Sequence, residues 1–418
     1  MIHVHAEAER NTKNAAVAKE SLSVPGFLVS TASCGMRYEG RDDLALIFSE
    51  KNATAAGVFT KNCFHAAPVT VCREHLHMNP DSIRAIVVNA GIANACTGKE
   101  GLEKARKMAI LTASRLAVDP HQVLVASTGV IGPQIDLELF SRALPKLVTN
   151  LRKDAWMNAA RAIMTTDKVA KFSLKRISLN GKLVTVCGIA KGAGMIAPQM
   201  ATMLAFIVTD ANISPSVLQD WLTRAVDNSF NRITVDGDTS TNDTVILLAN
   251  GCAGNPLIKR LDQSDSIRFG ETLERVLLEL ARQIVADGEG ATKLVRITVS
   301  GAPDTESARR IAFTIANSTL VKTALFGEDP NWGRVVAAAG RAGIELKPEK
   351  VNLWFGKVKV FENGCALYRP EIEHQAKSVC KSKEIELRLD VGIGTGRFEV
   401  LTCDLSYGYI KINAAYRS

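Results

Sequence analysis

The stretch KGAGMIAPQMATMLAFIVTDA, Lys191–Ala211, decides how this chain is read. From Gly192 to Thr209 it carries no charge, yet Gly192, Gly194, Pro198 and two threonines interrupt it. A membrane-spanning helix needs about 20 predominantly apolar residues, and these interruptions argue against one. The run instead predicts a segment buried inside a protein, with MLAFIVTDA as a buried strand. In its middle lies Ala201-Thr202, and two readings of that threonine stand side by side. One is a β-branched strand residue that merely packs. The other is a chain that cuts itself before Thr202, leaving an amine of reference pKa ~8 beside its own hydroxyl as a ready base.

Working outward, short apolar strands alternate with amphipathic helices, the pattern of an α/β protein. IRAIVVNAG, QVLVASTG and KLVTVCGIAKG read as buried strands. Helical spacing runs through GLEKARKMAILTASRLA, PSVLQDWLTRAVDNSF and GETLERVLLELARQIVADGEG, then through ESARRIAFTIANSTLVKTALFG and NWGRVVAAAGRAG. Beyond these the C-terminal part reads as strand-rich, with one helix around PEIEHQAKSVCKSKE. Turn residues in VSGAPDTES, Val299–Ser307, set an expected boundary between a core of 1–298 and a smaller C-terminal α/β domain of 299–418.

The 418 residues leave room for two or three domains, at 46% hydrophobic and 22% charged. The net charge of +8 is spread along the chain, with no run of five Lys/Arg, so nucleic acid is not an expected partner. Anionic small substrates suit such a surface. Nine cysteines without a C-x-x-C pair, and histidines without H-E-x-x-H, signal no zinc site and fit a reducing cytoplasm. The N-terminus lacks the apolar core of a signal peptide. DGEGATK (Asp287–Lys293) and VDGDTSTND (Val235–Asp243) have carboxylates for a hard cation but not the EF-hand spacing, so no metal is expected. GIGTGR (Gly392–Arg397) lacks the phosphate-loop spacing and reads as a turn between strands. In ASTGVIG, a glycine after a hydroxyl residue at a strand end can turn backbone N–H groups outward, as oxyanion holes require.

Taken together, Lys191–Ala211, NAGIANACTG (Asn89–Gly98), STGVIG (Ser127–Gly132), AIMTTDK (Ala162–Lys168), FNRITVDGDTSTNDT (Phe230–Thr244), DGEGATK, GEDPNWGR (Gly327–Arg334) and the terminal YGYIKINAAYRS resemble the ornithine acetyltransferase family. These are the bifunctional glutamate N-acetyltransferases of arginine biosynthesis, and the segments follow the family order along nearly the whole chain. The resemblance implies a self-cleaving α/β sandwich, two sheets flanked by helices, shared with related aminopeptidases. It implies cleavage between Ala201 and Thr202 into an α chain, 1–201, and a β chain, 202–418, assembled as an α2β2 heterotetramer.

The same resemblance implies the site. Thr202 would be the nucleophile on N2-acetylornithine, with Thr128 and Gly129 holding the tetrahedral oxyanion. Substrate contacts would come from Thr165 (Thr166 if the register in TTD is one off), Lys191, Glu289, Asn413 and Ser418. Lys191 would meet the substrate carboxylate, and Glu289 the positive amino group of ornithine or protons near Thr202. Without the family, Lys191 reads as a surface charge, Glu289 as a helix-end flank, Asn413 as a strand end and Ser418 as a frayed tail. No cofactor is implied, although some members take acetyl-CoA as acetyl donor. An amidase or aminopeptidase using the same nucleophile is the alternative activity, resolving the acyl-enzyme with water.

Overall fold

A computed structural model describes residues 22–197 and 203–415. The apolar run Leu204–Thr209 is β-structure because it lies between two covered faces, and the elements around it show how. The first layer holds β1 (Phe27–Ala32), β2 (Leu44–Phe59), β3 (Ile83–Ile92) and β4 (Val123–Val130), with α1 (Ala67–Met78), α2 (Gly98–Leu116), α3 (Leu137–Thr149) and α4 (Trp156–Ala162). The second holds β5 (Lys171–Leu179), β6 (Lys182–Lys191), β7 (Leu204–Thr209) and β8 (Thr244–Ala249), with α5 (Pro215–Asp227) and α6 (Ser264–Ala286).

One long strand joins the layers. The first half of β2 pairs with β1 and β3, and its second half, Thr54–Phe59, pairs with β8. The order is β4-β3-β2-β8-β7-β6-β5, with β1 beside β2. Alternation along the strands then assigns the faces. Ile189, Leu204, Phe206, Val208 and Ile246 share a core with Ile47, Val87, Leu124 and Trp156 of the first layer. Val186, Ala205, Ile207 and Leu247 pack instead with Leu218 and Leu222 of α5 and Leu277 and Leu280 of α6. All six residues of β7 are buried, five of them apolar, and the hydroxyl of the sixth, Thr209, accepts the Ala211 N–H at 3.2 Å. The expected α/β sandwich is the observed one.

A second, six-stranded sheet follows. It contains β9 (Leu294–Ala302), β10 (Asn352–Phe355), β11 (Val358–Glu362), β12 (Cys365–Ala366), β13 (Glu384–Asp390) and β14 (Gly396–Cys403), in the order β12-β11-β10-β13-β9-β14. Its core, with Ile297, Val299, Leu353, Leu387 and Val400, is covered by α7 (Thr305–Ala316), α8 (Thr319–Phe326), α9 (Trp332–Gly340) and α10 (Pro370–Cys380). All of β9 belongs to this sheet, so a division after residue 298 cuts through a strand. The change of sheet comes earlier, between α6 and Leu294. The turn residues at Val299–Ser307 mark where β9 ends.

The C-terminal region differs from its strand-rich reading in one respect: YGYIKINAA is helix α11 (Tyr407–Ala415). None of its residues is buried, and Tyr407 and Ile410 face solvent. With no apolar stripe to bury, the helix has no periodic signal in the sequence. Among the described residues no helix is long and apolar enough to cross a membrane.

Candidate functional site

Three strand ends meet where the uncharged segment begins and resumes. Lys191, the last residue of β6, is paired with Leu204 of β7, and Leu204 with Thr244 of β8. Ala201 and Thr202 lie outside the described residues, as does Ser418. Met203, next in the chain after Thr202, donates its N–H to Asp243 Oδ1 at 3.0 Å. Asp243 is fully buried, and that burial pushes its carboxyl well above the usual range, against the Met203 N–H and the charge of Lys191.

Lys191 is buried, not a surface charge. Its Nζ donates to Thr165 Oγ1 at 2.8 Å and stands 3.9 Å from Asp167 Oδ2. The neighbouring Thr166 is not the lysine's partner. Burial lowers the Lys191 ammonium pKa; Asp167, and more weakly Glu289 and Asp243, pull it back up. Burial alone would raise the Asp167 carboxyl, but Lys191, then Lys171, more than offset it and hold it at about 2.

Glu289 follows α6 without capping it. Its N–H donates to the Ala193 carbonyl at 2.8 Å, and its carboxylate lies over Gly194. A Cβ on Gly194 would sit 2.4 Å from the Glu289 carboxyl carbon, so a side chain there would displace the carboxylate. Asn413, placed on α11, donates from Nδ2 to Glu289 Oε2 at 2.7 Å. A helix and not a strand end therefore brings the tail residue to the acid.

Thr128 and Gly129 close β4, where Thr128 is buried and Gly129 has a φ of 136°. They lie three strands from β8, yet Asn242 spans the gap: its Nδ2 donates to Ser127 O at 2.8 Å and Ala93 O at 2.6 Å. The next residue is Asp243, so one dipeptide ties the proposed oxyanion corner to the Met203 end of β7. In this way Lys191 with Thr165, Glu289 with Asn413, and Thr128–Gly129 all connect to the chain on either side of Ala201-Thr202.

Sequence reading missed Asp167, Asp236, Asn242 and Asp243 as site residues. The last three lie in VDGDTSTND, whose Asp236 and Asp243 carboxylates are used on main-chain N–H groups. Asp236 accepts from Met195 at 2.7 Å and Ile196 at 2.9 Å, and Met195 sits in the left-handed region at φ 52°. Tyr409 Oη of α11 points to the same carboxylate at 3.4 Å. Two acidic residues on backbone amides are a sequence signal for a strained turn as much as for a cation.

Burial raises the Asp236 carboxyl to about 6, over the opposing N–H bonds from Asp238, Met195 and Ile196. An acid raised in the folded state binds its proton more tightly there than in the unfolded chain. Stability is therefore lost as pH rises from the unfolded value toward about 6, by on the order of 3 kcal/mol for this group. Unfolding midpoints in urea should show native protein weakening relative to Asp236→Asn between about pH 4 and pH 7. A pH-independent difference would contradict this account.

A sequence model described as the ArgJ family matches residues 28–418. The arginine biosynthesis bifunctional protein ArgJ of Thermotoga neapolitana is 48% identical over 398 residues, 94% of this chain and 99% of its own. The protein of the same name from Geobacter sulfurreducens is 46% identical over 397 residues, 95% of this chain and all of its own. Among solved structures, the arginine biosynthesis bifunctional protein ArgJ of Bacillus halodurans aligns at 38% identity and a TM-score of 0.48, over 50% of this chain and 98% of that one.

Proposed function

Since the chain belongs to the ArgJ family, we propose that it works as a glutamate N-acetyltransferase of arginine biosynthesis, moving the acetyl group of N2-acetylornithine to glutamate through an acetyl ester on Thr202. The observation that supports this most directly is the pairing of opposite charges beside the cleavage turn. The buried Lys191, held by Thr165, offers an ammonium for an α-carboxylate. Glu289, held by Asn413, offers a carboxylate for an amino group. An amino acid carries both.

The chain first cuts itself. The Thr202 hydroxyl adds to the Ala201 carbonyl, the amide C–N bond breaks as its nitrogen takes the hydroxyl proton, and water hydrolyses the resulting ester. In turnover the freed Thr202 amine takes the proton from Oγ while Oγ attacks the acetyl carbonyl. Thr128 and the Gly129 N–H stabilise the oxyanion. The acetyl C–N bond breaks, ornithine leaves with the proton, and glutamate enters the same pocket. Its amine attacks the ester, and Thr202 Oγ leaves. Both amino acids share the α-carbon frame, so one set of carboxylate contacts serves them in turn.

No cofactor is needed, and acetyl-CoA is a second donor to the same threonine, in keeping with relatives named bifunctional. The working assembly is the α2β2 heterotetramer, and its compartment the cytoplasm, where nine free thiols stay reduced. Incubation with acetyl-labelled N2-acetylornithine and glutamate tests the activity. The label should appear in N-acetylglutamate, and only when glutamate is present. Label released as acetate at a rate indifferent to glutamate would make the protein a hydrolase instead.

A further inference from the structure

Behind Lys191 lies a buried ion cluster that the reaction as written leaves unused. Lys171 is completely buried, and its Nζ donates to Asp167 Oδ1 at 2.6 Å and to Asp287 Oδ2 at 2.5 Å. Asp287 is also committed to the N–H groups of Lys168 at 3.0 Å and Val169 at 3.2 Å. Asp167 has more partners on the site side. The same Oδ1 receives the Gly192 N–H at 2.7 Å, and Oδ2 receives the Thr165 N–H at 3.0 Å. One carboxylate thus fixes the residue that follows Lys191 and the residue whose hydroxyl the Lys191 ammonium holds.

The distances separate its two lysines. Lys171 is in direct contact, whereas Lys191 stands at 3.9 Å, beyond hydrogen-bond reach. Lys191 spends one hydrogen on Thr165 Oγ1, and an ammonium has three. Asp167 supplies negative potential to Lys191 without occupying its donors. Burying a full ion pair costs several kcal/mol per charge, an arrangement poorly suited to stability alone.

We propose that Asp167 is the positioning residue for Lys191, a carboxylate locked by Lys171, Gly192 and Thr165 so that the buried lysine stays an ammonium with donors free for a substrate carboxylate. This rests on the reading of Lys191 as the carboxylate partner. The charged groups acting on Lys191 are Asp167, Lys171, Glu289 and Asp243. Of the carboxylates, Asp167 acts most strongly to keep it protonated, so its loss lets burial neutralise Lys191 at lower pH.

The test is steady-state kinetics with N2-acetylornithine and glutamate from about pH 6 to pH 9, on variants first shown by mass to be cleaved. Asp167→Asn should raise KM for both substrates about tenfold at the alkaline end, the loss of one charge-assisted contact. The increase should shrink toward the acid end, with kcat changed far less than KM. Adding Lys191→Arg, whose guanidinium does not deprotonate, should flatten that pH dependence. Asp287→Asn loosens the same cluster from the far side of Lys171 and should keep the native KM profile. If Asp167→Asn does not fold, Asp167→Asn with Lys171→Met removes the pair together and should show the same alkaline rise in KM. A KM profile parallel to native in the Asp167 variants, or the same pH-dependent rise in Asp287→Asn, overturns the proposal. Lys191→Met with native KM overturns the carboxylate reading itself, a result separable from the others.

Discussion

Thr202→Ala is expected to leave a single 45.1 kDa chain that transfers no acetyl group above background. Alanine has no hydroxyl to attack the Ala201 carbonyl, so the amide stays intact and no free amine appears to serve as base. The variant thus loses nucleophile and base in one substitution, a loss on the order of 10⁶ in turnover where such groups act as a unit. Intact mass under denaturing conditions reads the cleavage, and the labelled-acetyl assay reads the chemistry. Thr202→Ser is the control that separates chemistry from folding. It keeps the hydroxyl and should yield two fragments and measurable transfer. Native protein that remains uncut, or Thr202→Ala with native activity, would remove Thr202 from the mechanism.

The second large effect is expected at Gly129. At φ 136° only glycine is at ease, and a Cβ there would lie 2.1 Å from the Gly91 carbonyl carbon on β3. The obstacle is backbone in a paired strand, where Gly91 sits opposite Gly129, so no rotamer change relieves it. Gly129→Ala must push β4 away from β3 or rotate the peptide whose N–H is proposed to hold the oxyanion. We expect kcat to fall ~10²–10³-fold with KM altered little, and the thermal midpoint to drop by several degrees. Thr128→Ala separates the two donors, because it deletes a hydroxyl while leaving the Gly129 peptide where it is. If Gly129→Ala retains native kcat in a destabilised protein, the corner is structural only.

Much of this site was legible because its chemistry sits in short contiguous motifs. Lys191 stands against the uncharged run, STG closes an apolar strand, and Glu289 lies in a glycine-flanked turn. Each signal is local. The partners were not legible, because they come from far along the chain. Asp167 is 24 residues from Lys191, Asn242 is 115 from Ser127, and Asn413 is 124 from Glu289. Nothing in TTDK says which lysine its aspartate faces, and a carboxylate in VDGDTSTND looks alike whether it meets a cation or two amides.

By itself, the amino-acid sequence determined the α/β class, the buried character of Leu204–Thr209 and the family motifs. Side-chain alternation and glycine placement are properties of a few consecutive residues, and so survive without a fold. Tertiary structure alone decided that β2 bridges two layers, that β9 belongs to the second sheet, and that the exposed tail helix brings Asn413 to Glu289. It also decided that Lys191 and Lys171 are buried. A lysine is hydrated by default, and only packing that surrounds it with fixed carboxylates and hydroxyls makes its burial tolerable.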